Sequence, residues 1–95
     1  MIKVVARQTI QEGKTGEFKS LVVHLVEETR KEEGCIAYQL CQDVKDETTF
    51  AFIEEWQSRE ALDNHMKSKH FVETMPKLDE IRKKASEVTI YTLVM

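Results

Sequence analysis

The segment EEWQSREALDNHMKSKHF, residues 54–71, holds the only tryptophan and two of the three histidines of the chain, beside a pair of carboxylates. Imidazole titrates near neutrality and can take or give a proton there, as general acid–base chemistry requires. His65 stands at helical spacing from Leu62 and Met66, on the face expected to turn toward a sheet, where Trp56 would meet it. Two readings are open for it: a proton-transfer residue, or a core histidine with its hydrogen bonds satisfied. In TTFAFIEEW (48–56), alternation sends Phe50, Phe52, Glu54 and Trp56 to one side of a strand, and Ala51, Ile53 and Glu55 to the other. A carboxyl among three aromatic rings must be hydrogen-bonded, paired or protonated. An ion pair with Arg7 or Arg59 and a role in a site are both compatible with that. Tyr38 is a candidate donor to a substrate oxygen, or equally a core aromatic. His70 opens the next helix, and its five-residue spacing from His65 keeps the two off one helical face. His24 falls on a polar face with Ser20, Glu27 and Lys31. No further ligands join the histidines in a metal-binding spacing, so neither a metal nor a cofactor is expected.

These residues need elements to hold them. IKVVARQTI (2–10) is rich in β-branched residues and reads as a strand, interrupted by Arg7 and Gln8, of which alternation lets only one face the helices. QEGKTGE is a turn. From Lys14 to Glu33 the period changes, with Phe18, Leu21, Val22, Leu25 and Val26 on one stripe, and Gly34 stands where a left-handed cap would end a helix. CIAYQLCQD (35–43) and TTFAFIEEW are expected to form a hairpin. Ser58 and Ser68 are plausible N-caps for REALDNHM and for KHFVETMPKLDEIRKKA, with a kink or break at Pro76. EVTIYTLVM (87–95) closes the chain as a fourth strand.

The order β-α-β-β-α-β is the ferredoxin-like arrangement, an α+β fold with an antiparallel sheet and helices on one face. Residues 1–95 form one domain. Both faces of the sheet look apolar. Val88, Ile90 and Val94 oppose Tyr91, Leu93 and Met95 on the last strand, and Ile36, Tyr38 and Leu40 oppose Cys35, Ala37 and Cys41 on the second. Helices cover only one face, so the second is expected to pack on another copy in a homodimer.

Composition narrows the function. The chain is 41% hydrophobic and 33% charged, an ordinary soluble mixture without a disorder signature. A net charge of −3 lacks the basic footprint of a nucleic-acid binder, no apolar run approaches the ~20 residues that span a bilayer, and no signal peptide is evident. Cys35 and Cys41 on one strand would lie roughly 20 Å apart, too far to pair. Free thiols suit a reducing compartment, and a cytoplasmic location is the expectation. There is no glycine-rich phosphate loop, nucleophile elbow or dinucleotide fingerprint. An enzyme on this scaffold would work in a small apolar cavity between helices and sheet.

EEGCIAYQL together with FAFIEEWQSREALDNHMKSKHF resembles the antibiotic biosynthesis monooxygenase domain family over nearly the whole chain. The shared features are a G-C-x-x-Y-like second strand, an E-x-W ending to the third, and a helix running into H-x-x-S-x-H-F. The resemblance implies a dimeric ferredoxin-like fold with one cavity per subunit. It implies cofactor-independent oxygenation of phenols, quinols or anthrones, haem degradation, or isomerisation of a phosphorylated signalling sugar. Haem degraders carry an axial histidine and an asparagine where Met75 and Ala6 stand here, which argues against that activity. Isomerase-like members tend to have Tyr where Trp56 stands, which favours an oxygenase acting on a small aromatic substrate and O₂. On that basis His65 is the expected base and Tyr38 holds a substrate oxygen. Trp56, Phe52 and Phe71 wall the cavity, Glu54 orients His65 or Arg7, and His70 lies at the rim or caps a helix. The alternatives are the isomerase using the same histidine and a non-enzymatic dimer that binds a small ligand.

Overall fold

The computed structural model describes residues 1–95. Its elements are β1 (Ile2–Thr9), α1 (Thr15–Thr29), β2 (Cys35–Gln42), β3 (Thr49–Trp56), α2 (Arg59–Met66), α3 (Lys69–Asp79) and β4 (Glu87–Thr92). The strands form one sheet in the order β2-β3-β1-β4, antiparallel at every pair. This is the ferredoxin-like arrangement, with β1 and β3 central. No helix is long and apolar enough to cross a membrane.

Register and alternation together decide which side chains meet the helices. Val4 pairs with Glu54, Ala6 with Phe52 and Gln8 with Phe50, and these three β1 residues are buried under the helical layer. The choice between Arg7 and Gln8 is thereby made: Gln8 points inward, and Arg7 reaches Asp43 on the opposite face at 3.8 Å. Phe18, Val22 and Leu25 of α1 cover the Phe50 end of β3, with the Phe18 and Phe50 rings 4.8 Å apart. The uncovered face carries Ile53, Tyr91 and Cys41, with Lys3 bonded to Glu55 at 2.6 Å.

Three boundaries differ from the sequence reading. Helix α1 ends at Thr29 rather than Glu33, because residues 31–35 close successive turns through Glu28, Thr29 and Glu32 carbonyls. Helix α3 passes through Pro76 without breaking and stops at Asp79. Beyond it, Ile81 and Arg82 turn back to the end of β1, where the Gln11 amide bonds the Ile81 carbonyl and Ile10 bridges Arg82. Strand β4 ends at Thr92, after which Leu93 makes one bond to Met1 and the last two residues have no ladder partner.

Gly34 is a true structural glycine. Its φ is +85°, and a Cβ there would come within 2.6 Å of the Ala61 Cβ. Only glycine allows the chain to turn into β2 while α2 packs this closely. Ala61 stands one helical turn before His65, so this contact sets the height of the histidine above the sheet.

Candidate active site

A cavity of about 70 Å³ lies between the sheet and α2–α3. It is lined by Val4, Ala6, Leu62, Met66, Phe71, Val88 and Ile90, with Glu54 and His65 as its polar groups. Val88 and Ile90 pair with Ala6 and Val4 and so face the helical side, yet they are 56% and 38% exposed. That edge strand forms the open wall.

Glu54 is 5% exposed and stands two residues from Trp56 on the same face of β3. The indole Nε1 donates to its Oε1 at 3.0 Å. Burial pushes the carboxyl up to about 7, against the lowering effect of the indole bond and with a small further rise from Glu32. Of the two readings open for Glu54, the ion pair does not form: Arg59 bonds Asp63 on its own helix, and Arg7 lies across the sheet. An indole donor can satisfy one oxygen but cannot neutralise the charge, which is why the proton is retained so far up the pH scale.

His65 is 2% exposed and lies between Trp56, Phe71 and Tyr38, with ring centroids at 4.8, 5.0 and 5.3 Å. Its Nδ1 donates to Glu32 Oε2 at 2.7 Å. The accepting carboxylate assigns the ring proton to Nδ1 and leaves the lone pair on Nε2. Burial lowers the pKa of His65, and the Glu32 bond works against that. The orienting carboxylate is therefore Glu32 from the turns that follow α1, not Glu54 as the sequence suggested.

His70 Nε2 lies 2.8 Å from the same Glu32 oxygen, so one carboxylate atom bridges both histidines. The ligand atoms of Glu32, His65 and His70 lie within 4.8 Å of one another, which brings together a third potential metal ligand that spacing alone had not revealed. The separations from Oε2 are nevertheless those of hydrogen bonds, shorter than the spacing of two ligand atoms around one cation bonded at about 2.0–2.1 Å.

Of the other candidate residues expected to touch a substrate, Trp56, Phe52, Tyr38 and Arg7 are not among those lining the cavity. Phe71 lines the cavity with His65 and Glu54. Trp56, Tyr38 and Phe52 are fully buried one layer behind it, where Tyr38 stacks on Phe52 at 5.3 Å and meets the edge of His65. Burial also drives the Tyr38 hydroxyl far above its ordinary value. Arg7 is separated from the cavity by the sheet itself. Glu32 is the residue that sequence reasoning missed. It lies in the turns between α1 and β2, beyond the reach of the helical stripe, and no periodic signal marks it.

The profile of the family described as antibiotic biosynthesis monooxygenase matches residues 1–77. An uncharacterized protein of Synechocystis is 33% identical over 92 residues, 97% of this chain, and the chain spans 63% of that relative's length. YcnE of Bacillus subtilis, whose name marks it as a candidate monooxygenase, is 35% identical over 71 residues, 75% of each protein. Among solved structures, a conserved protein of Methanosarcina mazei superposes with a TM-score of 0.92 at 41% identity, covering 95% of this chain and 89% of that one. A crystal structure described as an antibiotic biosynthesis monooxygenase gives 0.94 at 37% identity over the whole of both chains. The sequence profile and these structures agree with the cavity-bearing ferredoxin-like fold, and the chain belongs to the antibiotic biosynthesis monooxygenase family.

Proposed function

We propose that the protein is a cofactor-independent monooxygenase that oxidises a small phenol or quinol with O₂ in the cavity beside His65. The observation that carries this reading is the Glu32–His65 pair, a carboxylate-oriented imidazole at the wall of an apolar cavity. Nε2 of His65 takes the phenolic proton, and the resulting phenolate gives one electron to O₂. The phenoxyl radical and superoxide combine into a ring-bound peroxide. Glu54, whose carboxyl burial pushes up to about 7, supplies in its protonated form a proton to the departing oxygen. Loss of the ring hydrogen as the O–O bond breaks leaves a quinone carbonyl and water. A phenol and O₂ thus become a quinone and water, with all four electrons drawn from the substrate.

In this scheme Phe71 holds the ring. Trp56 fixes the Glu54 carboxyl, and Tyr38 and Phe52 brace the imidazole. Apolar walls protect the peroxide from water. The family's dimer fits the uncovered face bearing Ile53 and Tyr91, and two free cysteines fit a cytoplasmic location. His65→Ala is expected to abolish oxygen uptake with an active phenol or quinol while the circular dichroism spectrum stays native. Unchanged kinetics would remove His65 from the mechanism.

A second reading is favoured by one feature: His65 and Glu54 are a base and an acid facing one cavity, as a keto–enol isomerase needs. The lining carries no cationic side chain, so that reading fits an uncharged keto compound better than a sugar phosphate. An oxygen electrode run with quinols, hydroxyquinones and ketose phosphates separates the two, since isomerisation consumes no O₂.

A further inference from the structure

We propose that His70 holds His65 in its neutral, proton-accepting form by competing with it for the single carboxylate oxygen of Glu32. This role of His70 deepens that of His65 as a base and rests on that reading for its kinetic consequence.

Glu32 Oε2 accepts from His65 Nδ1 at 2.7 Å and from His70 Nε2 at 2.8 Å. One carboxylate can compensate one imidazolium, and the ring centroids are 6.2 Å apart, close enough for two like charges to oppose each other strongly. A second positive charge beside the shared oxygen is therefore opposed by the first. Solvation separates the two rings. The His65 side chain is 2% exposed and that of His70 14%, so desolvation weighs against a positive charge on His65, and the neighbouring His70 works in the same direction. A carboxylate paired with His65 alone would raise the basicity of that ring and load it with a proton. A rim imidazole on the same oxygen relieves that pull and leaves Nε2 of His65 free at the cavity wall.

The surrounding groups do not undo this balance. On α1, Glu28 lies near His70 and His24, but Lys31 bonds it at 2.8 Å. On β2, burial raises both Cys35 and Tyr38, which stay neutral. On α2 and α3, Arg59 pairs with Asp63 and Lys69 with Glu73. Glu54 on β3, pushed up to about 7, is the one group titrating in the same range across the cavity.

The test follows the ring resonances of His65 through a pH titration by NMR in the full chain, with His24 as internal reference. In His70→Phe the midpoint of His65 is expected to rise by about one unit, a tenfold change in its protonation equilibrium. His70→Gln, which keeps a donor for Glu32 but no charge, should give a smaller rise. The same rise should appear in a Glu54→Gln background. A His65 midpoint that stays fixed or falls when His70 is replaced overturns the proposal. So does a rise that vanishes with Glu54→Gln. If His70→Phe does not fold, His70→Gln decides alone, and an unmoved midpoint there is again a refutation. With an active substrate, the acidic limb of kcat/KM should move upward with the His65 midpoint. Failure of every phenol to consume O₂ would sink the monooxygenase reading and leave the ring titration unaffected.

Discussion

Strand β3 runs through two different interiors. At its first half Phe50 meets Phe18 under α1, in surroundings completed by Ile10, Leu78 and Ile81. At its second half Glu54 and Trp56 meet His65, and behind His65 stands Glu32. Both halves are buried to the same degree by the same alternation, yet one is mostly hydrocarbon, with the uncharged Gln8 amide opposite Phe50, and the other holds titratable groups. Burial stabilises the first and costs free energy at the second, where desolvated carboxyl and imidazole groups are held away from their ordinary ionisation. The apolar half is the foundation, and the polar half is where stability is traded for chemistry.

The largest effect should come from the foundation. Phe18→Ala removes a fully buried ring that touches both Phe50 and Phe52, and about 3–5 kcal/mol of stability should be lost in urea titration. A loss under about 1 kcal/mol would mean that the two halves share the load and the contrast is false.

Next in size is a gain. Glu54 has a folded pKa of about 7 against an ordinary value of 4.5, so between those values the folded protein binds more protons than the unfolded chain. Its contribution to stability is intact below about pH 4.5 and is lost as pH rises through about 7. The shift corresponds to about 3 kcal/mol at alkaline pH. Glu54→Gln should recover up to that amount at pH 8, little at pH 4.5, and lose the proposed activity. His65 has the opposite sign. Its folded pKa lies below the ordinary 6.5, so its contribution is present above about 6.5 and is lost as pH falls. Denaturant midpoints for wild type and Glu54→Gln across that range check the assignment, and parallel curves would refute it.

The same contrast explains what the sequence could convey. Alternation placed Phe50, Phe52, Glu54 and Trp56 on one side because a strand interior permits no other arrangement, and helical spacing turned His65 toward them. Element order gave the sheet. The partner of Glu54 was less accessible, since an indole two residues away competes with arginines only once burial is known. Glu32 was harder still. It sits past the last residue of α1, in turns that a helical pattern does not describe, and its partners are 33 and 38 residues away. Arg7 and Gln8 illustrate a limit of another kind. Period two separates them, but only the register with β3 says which one faces inward. At Pro76 the local rule for a helix breaker gave way to the packing of Leu78 in the core.

A smaller effect, split between the halves, is expected at Gly34. Gly34→Ala adds a methyl 2.6 Å from the Ala61 Cβ at a φ of +85°. Strain at that backbone and displacement of α2 should together cost about 2 kcal/mol. Because Glu32 lies just before Gly34 and His65 one turn after Ala61, the Glu32–His65 bond should be disturbed as well. A stability loss without any change in the His65 titration would show that the site tolerates movement of α2.

The smallest effect separates folding of α2 from alignment of its histidine. Ser58 caps this eight-residue helix, its hydroxyl accepting from the Ala61 amide at 3.1 Å. A helix so short has little stability of its own and depends on caps and packing. Ser58→Ala should cost about 1 kcal/mol, and Ser58→Asp should restore most of it, since a carboxylate both accepts that bond and favours the positive end of the helix. His65 itself is clamped at the other end of α2 by Glu32, Trp56 and Phe71. Its NMR titration should therefore be the same in Ser58→Ala as in wild type. A shifted midpoint would place the control of the imidazole in the helix rather than in the carboxylate, and the polar half of the interior would then be no more self-supporting than the helix that carries it.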